Sequence, residues 1–371
     1  MNNHHEVLIV GGGVIGHSIS YYLNKNGVSA TVMEKGESGH QATRAAAGML
    51  GVHTENKRSG EFYRFCKESR DLYKSLRQEL YKLTSIDIQL TSFGMLEVAL
   101  NESEAQKLLE KQLAFSELEW LERAELKEKF LSLPSKVVGA LYIKEDGHVE
   151  STRVCEAFKQ AALQLGGGVI ENCHVVTIQK AKATFVLTTN KGSFTADQVV
   201  IATGADSERW FTTFDLPNPM IPMKGECFSI KPKKQEIKET LFFHDFYLVP
   251  KLDGRYIIGA TSVPNDQTSD ASVGGIYELM QCLFSVFPQL QPEALQSVWS
   301  GIRPGTKDGL PIIGEHPNYS GLFYATGHYR NGVLLAPATG KLVKELMIDK
   351  QVSTPVLGLI SPERVVYQEV L

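Results

Sequence analysis

Apolar positions along this chain fall into a few distinct rhythms. Val7-Leu8-Ile9-Val10 is an unbroken apolar run, the pattern of a strand buried on both faces. It leads into Gly11-Gly12-Gly13, and the pattern then predicts a helix from Ile15 to Asn24. A second short run, Ala30-Thr31-Val32-Met33, ends at the acid Glu34. From Glu61 to Leu83, Phe62, Phe65, Cys66, Tyr73, Leu76, Leu80 and Leu83 recur mostly at steps of three and four, which predicts an amphipathic helix. Phe93 to Ala99 alternates and predicts a strand, whereas Glu102 to Phe130 is charged and predicts helix, broken near Pro134. A helix from Arg153 to Leu165 is stopped by Gly166-Gly167-Gly168.

Strand signals dominate the middle of the chain. They fall at Val169-Ile170, Val175-Val176, Phe185 to Leu187, Asp197 to Gly204, Gly225 to Ile230, Tyr247 to Pro250 and Tyr256 to Ala260. Asp253-Gly254 supplies a hairpin turn between the last two. Pro288 and Pro292 punctuate a helical stretch, and Gly321 to His328 predicts a late strand. Thus α/β segments lie at the start, middle and end, with hairpin-rich segments between them. The expected architecture is α/β with an α+β insert. A discontinuous Rossmann-like nucleotide domain takes residues 1–84, 150–220 and 301–371, and an antiparallel-sheet substrate domain takes 85–149 and 221–300. The active site is expected where the two meet.

The first β-α-β unit carries the clearest chemistry. Gly11, Gly13 and Gly16 form Gly-x-Gly-x-x-Gly between strand and helix, and Glu34 closes the second strand at the spacing of a dinucleotide fingerprint. Gly11 permits the turn, Gly13 lets main chain approach a pyrophosphate, and Gly16 lets the helix pack closely. The free N–H groups of the helix start then face the diphosphate. Glu34 suits ribose hydroxyls and repels a 2′-phosphate, which disfavours NADP. The small residues of Gln41 to Met49 leave room for a flat ligand, and Val199 to Gly204 and Tyr324 to Gly327 read as two more strand ends facing it. Three such pieces spread along the chain fit FAD better than an exchangeable nicotinamide.

Composition removes other classes. The chain has 371 residues, 43% hydrophobic, enough for a large core and two domains, and a net charge of −4 with no basic run, so nucleic acid is not an expected partner. The polar start Asn2-Asn3-His4-His5 leads straight into a strand, and no apolar run is long enough for a bilayer. A soluble, cytoplasmic protein is expected. The five cysteines, Cys66, Cys155, Cys173, Cys227 and Cys282, are widely spaced, and the ten histidines lack helical metal-ligand spacing, so neither disulfides nor a metal site are expected.

Several segments together carry a resemblance: Ala45-Ala46-Ala47-Gly48-Met49-Leu50-Gly51, Met223-Lys224-Gly225-Glu226-Cys227, Ser300 to Gly309, and Gly327 through Gly340. In these the chain resembles, over nearly its whole length, the D-amino-acid oxidase family of flavoproteins, and is most similar to its bacterial glycine-oxidising branch from thiamine synthesis. The resemblance implies a D-amino-acid oxidase-like fold and tightly but non-covalently bound FAD. It implies oxidation of glycine to an imine and then glyoxylate and ammonia, with O2 reduced to hydrogen peroxide, and often a homotetramer. By analogy Val14, Ile15, Glu34, Lys35, Ala42, Thr43, Ala47, Gly48, Met49, Val175 and Gly204 touch FAD, as does the run His328, Tyr329, Arg330, Asn331, Gly332, Val333 and Leu334.

For the substrate, an arginine fork matches a planar carboxylate, and Arg303 is the expected clamp, with Arg330 assisting and Tyr247 adding a hydroxyl. Met49, Gly51 and Ser262 complete the expected substrate pocket. Ser262 stands where the compared enzyme carries methionine, which predicts a larger or more polar pocket and leaves open the ranking of glycine, sarcosine and small D-amino acids. No side chain is expected as a catalytic base, because flavin-driven hydride transfer from a neutral amine needs none. His244 and Asp245 are expected to be structural or entrance residues, and a helix after Pro337 is expected to point its N-terminus at the flavin. Three other readings stay open: a dehydrogenase donating to quinone, a sarcosine oxidase with covalent flavin, and a non-catalytic FAD-binding protein. The second lacks the cysteine it needs near Arg303.

Overall fold

The computed structural model describes residues 3–367 except 57, 131–132, 135, 350–351 and 353; the outermost residues of the expected 1–84 and 301–371 segments lie outside it. Two sheets organise the chain. The first runs Ile312–Glu315, Leu322–Thr326, Gly192–Ile201, His4–Val10, Ala30–Met33, Gly168–Ile170, with Thr184–Thr189 and Val175–Ala181 attached through Gly192–Ile201. Its four central pairings are parallel. Val7 to Val10 are buried, as their unbroken apolar run requires.

Helices Val14–Lys25, Ser151–Gln164, Glu61–Thr84 and Gly332–Ile348 pack together beside this sheet. Glu61–Thr84 buries Tyr63, Phe65, Cys66, Ser69, Arg70, Tyr73, Leu76 and Leu80 on one face, and Ser85 ends it in the left-handed conformation. The opposite face of the sheet is covered by Trp210, Phe211, Phe214 and Leu216.

The second sheet runs Val263–Pro264, Met220–Lys231, Tyr256–Gly259, Phe246–Pro250, Thr240–Phe243, Met95–Ala99, Gly139–Ile143, Glu119–Glu122. Ala294–Thr306 pairs antiparallel with Met220–Lys231 over almost its full length. This long strand crosses the expected boundary after residue 300 and carries the second sheet as far as Thr306.

Two other expectations are corrected. The stretch expected as one helix from Glu102 to Phe130 is a helix Glu102–Ala114, a strand Glu119–Glu122 and a short helix Arg123–Lys129. Leu121 is buried in that strand and only Trp120 beside it is apolar, with Glu119 and Glu122 flanking the pair, so the apolar signal there is too short to show a period. The last long helix begins at Gly332, not after Pro337. Pro337 cannot donate to the Val333 carbonyl, and the Tyr73 hydroxyl does so instead at 2.6 Å. The Ser69 hydroxyl accepts from Ala338 N at 3.1 Å and donates to the Leu334 carbonyl at 2.7 Å. These two side chains restore the bonds that the proline disrupts, so the helix runs through it.

Among the described residues no helix is long and apolar enough to cross a membrane. Cys66, Cys155, Cys173, Cys227 and Cys282 are all free thiols.

Candidate active site

A groove runs between the two sheets. Its outer part spans about 2610 Å³ and its inner part about 1080 Å³, space open to solvent included, and they share Gly13, Ala42, Thr43, Ala45, Ala46, Ala202, Gly204, Gly301 and Ile302. One small amino acid does not fill such a space; an extended ligand with a small molecule beside it does.

The outer part is built mostly from main chain. Gly11 takes φ +114°, which the turn requires, and a side chain on Gly16 would meet the Gly11 carbonyl at 2.0 Å. At Gly13 a side chain would meet only Thr43 Oγ1, at 3.5 Å, so packing leaves the space over this residue open to a ligand. The first-turn N–H groups have no intrahelical acceptor; Val14 N donates to Thr43 Oγ1 at 3.0 Å. The Glu34 carboxylate is buried and accepts from Gly12 N at 2.7 Å and Gly36 N at 2.9 Å, which fixes its direction. Lys35 lies in the wall and pairs with Asp206. Glu34, Gly11 and Val175 line this outer part.

The inner part is lined by Val14, Ile15, Ala47, Gly48, Met49, Tyr247, Arg303, His328, Tyr329, Arg330, Gly332 and Val333. Register in the second sheet explains how distant residues meet. Met223 lies opposite Arg303, Gly225 opposite Gly301, and Cys227 opposite Gly259, which in turn lies opposite Tyr247. A side chain at Gly225 would meet the Arg303 guanidinium at 2.2 Å, and one at Gly259 would meet the Tyr247 hydroxyl at 2.7 Å. These two glycines make room for the polar groups beside them.

Arg303 donates through Nη1 to the Thr261 carbonyl at 3.1 Å, and among the described residues no carboxylate lies within ion-pair distance of it. Arg330 differs: its Nε donates to Glu55 at 3.0 Å. Burial opposes the Arg330 charge, but Glu55, with Tyr247 and Tyr329, more than offsets it and strengthens its hold on the proton. Tyr247 is buried with its hydroxyl 3.5 Å from Cys227 Sγ; burial strengthens the hold of both on their protons, and the Arg303 charge opposes it. His328 bonds Thr339 Oγ1 at 3.0 Å, and burial pushes it down to about 3, so it is a neutral wall.

Some expected residues sit elsewhere. Gly51, Ser262, Gly16, Asn331 and Leu334 are absent from the lining, and Ser262 is exposed beside the Thr261 carbonyl that holds Arg303. A serine there faces water rather than enlarging the pocket. Asn331 and Leu334 sit just behind the lining residues Arg330, Gly332 and Val333. His244, whose ring lies 3.5 Å from Glu104, and Asp245 are also outside the lining, in a hairpin turn.

Other contributors escaped the sequence. Lys251 is buried and donates to the carbonyls of Ala47 at 3.1 Å and Val149 at 2.9 Å, with Glu150 at 3.2 Å. Trp299 Nε1 donates to Ala45 O at 3.1 Å. Together they hold the Ala45–Gly48 wall. No motif marks them, because their role arises from pairing across the two sheets.

The groove fits FAD. Packing leaves the space over Gly13 open to a diphosphate, and a side chain on Gly48 would meet the Val149 carbonyl at 2.0 Å, so the wall stays flat. The comparisons agree. A family described as FAD dependent oxidoreductase (DAO) matches residues 6–346. The chain belongs to this family. It is 37% identical to glycine oxidase of Bacillus subtilis (strain 168) over 353 residues, covering 95% of each chain. The crystal structure of glycine oxidase from Geobacillus kaustophilus superposes with a TM-score of 0.93 at 36% identity, covering 97% of this chain and 98% of that one. The bifunctional protein ThiO/ThiG of Synechocystis sp. (strain ATCC 27184 / PCC 6803 / Kazusa) is 33% identical over 368 residues, which are 97% of this chain and 54% of that protein. The protein is an FAD-dependent oxidoreductase with the expected α/β fold.

Proposed function

We propose that this protein oxidises glycine, with sarcosine and small D-amino acids as further substrates. Glycine, O2 and water become glyoxylate, ammonia and hydrogen peroxide, by way of an imine available to the thiazole branch of thiamine synthesis. The observation that supports the reading is that Arg303, with no carboxylate partner among the described residues, and Tyr247 both line the inner end of the groove. The glycine oxidases of similar sequence support it, and so does the bifunctional relative, in which a region like this chain is joined to a second activity.

Bound FAD supplies the two-electron acceptor. With FAD bound, Glu34 would hold the ribose, the first turn of Val14–Lys25 would hold the diphosphate, and Ala45 to Met49 with His328 to Val333 would hold the rest of the group. Arg303 binds the substrate carboxylate as an ion pair, and Tyr247, held protonated by burial, donates a hydrogen bond to it. Ala46, Ala47, Met49, Ile302 and Val333 exclude water from the α-carbon. Neutral His328 and protonated Cys227 take no proton, so the amine enters unprotonated and no side chain serves as base. A nucleotide domain and a substrate domain that meet at this groove, and a cytoplasmic homotetramer, belong to the same reading.

A substrate panel in air tests it. Peroxide from glycine, sarcosine and D-alanine is the expected result, with glycine foremost; quinone reduction without peroxide would replace O2 as acceptor. Absence of turnover with every acceptor, in protein loaded with FAD, would remove the function.

A further inference from the structure

The two arginines of the inner pocket are not equivalent. Arg303 has no carboxylate partner among the described residues, whereas Arg330 is paired through Nε with Glu55 at 3.0 Å. The Glu55 side chain is 16% exposed and that of Arg330 30%, so the pair is partly shielded from water. Glu55 does not itself line the pocket. Its effect on a substrate passes through the charge it cancels. Arg303, Arg330 and Glu55 together leave one net positive charge facing the substrate space, the complement of one carboxylate.

Resting on the proposed amino-acid oxidation, we infer that Glu55 determines substrate charge: it confines the pocket to amines carrying a single anionic group. A second carboxylate approaching Arg330 meets a guanidinium already neutralised, with the Glu55 charge behind it. It loses its own hydration without gaining an unpaired cation. With Glu55 neutral, Arg330 would become a second free cation, and a dicarboxylic amine would bind both arginines.

The experiment uses the FAD-loaded enzyme and two pairs of probes. Iminodiacetate and glycine are compared as substrates, and malonate and acetate as ligands, the latter followed by perturbation of the flavin absorption band. Wild type should bind malonate no more tightly than acetate; clear preference for malonate would overturn the inference without any variant. Glu55→Gln should raise the iminodiacetate-to-glycine ratio of kcat/KM, and the malonate-to-acetate affinity ratio, by about tenfold or more. Glu55→Asp, which keeps the charge, should stay near wild type. The double change Glu55→Gln with Arg330→Gln restores one net positive charge and should return both ratios to near wild type, an outcome that a merely structural ion pair does not predict. Unchanged ratios in FAD-loaded Glu55→Gln would refute the charge filter. Should that variant fail to hold FAD, a tenfold rise in the double variant would refute it equally. A wild type that oxidises no amino acid would sink the proposed function instead, while its malonate and acetate affinities would still judge the charge filter.

Discussion

The two ends of the groove are built on opposite plans. The nucleotide end uses main chain from one short stretch: a turn at Gly11, a helix start at Gly13, and one acid, Glu34, all within the first β-α-β unit. The proposed substrate end uses side chains from four separate segments, Tyr247, Arg303, Arg330 and Met49, which line one space only in the folded chain. Binding of a large invariant ligand can be coded locally by backbone. Selection of a small amino acid needs charges and hydroxyls aimed from several sides.

If the ends are this separable, changes at one should leave the other's ligand in place. Arg303→Ala is the largest test. It leaves the substrate carboxylate in a half-buried site without its counter-charge, and KM for glycine should rise by about a hundredfold or more while FAD stays bound. Steady-state kinetics beside the flavin-to-protein ratio measure both; an unchanged KM would take Arg303 out of the site. Glu34→Ala should do the reverse, weakening FAD by about ten- to a hundredfold, since Gly12 N and Gly36 N lose their acceptor together with the ribose. Dialysis followed by FAD titration reads it, and a KM shift larger than the FAD shift would break the separation.

Gly225→Ala is a finer probe. The added methyl reaches the Arg303 guanidinium at 2.2 Å, and the atoms nearest to it all belong to Arg303. KM should rise by about tenfold with FAD content near wild type. The smallest effect is shared by both ends. His17, behind the glycine motif, and His148 and His328, near the substrate end, are pushed by burial down to about 3. In the unfolded chain they titrate near pH ~6.5, so below that pH the unfolded state binds more protons than the native one. Stability therefore falls as pH drops from 7 towards 5, by about 1.4 kcal/mol per pH unit for each histidine in the limit. Denaturant unfolding at the two pH values checks this; equal or greater stability at pH 5 would contradict it.

Legibility in the sequence follows the same divide. The fingerprint from Val7 to Glu34 could be read directly, because its physics is local: apolar run, glycine spacing, acid. The amphipathic helix Glu61–Thr84 was legible for the same reason. Arg303 and Tyr247 came from resemblance, since nothing local marks one arginine or tyrosine among many. Lys251, Trp299 and Glu55 had no signal at all: each acts through a partner about a hundred or more residues away, and such pairings exist only once the strands are in register. Pro337 misled for a related reason. The hydroxyls of Tyr73 and Ser69 that let the helix run through it come from another helix.

The central claim is that Arg303 holds an amino acid against FAD bound in the same groove. Anaerobic addition of glycine to the FAD-loaded enzyme tests it most directly. Wild type should lose its visible flavin absorption, and Arg303→Ala, equally loaded, should keep it at the same glycine concentration. Wild-type protein that stays yellow, or a variant that bleaches alongside it, would contradict the account.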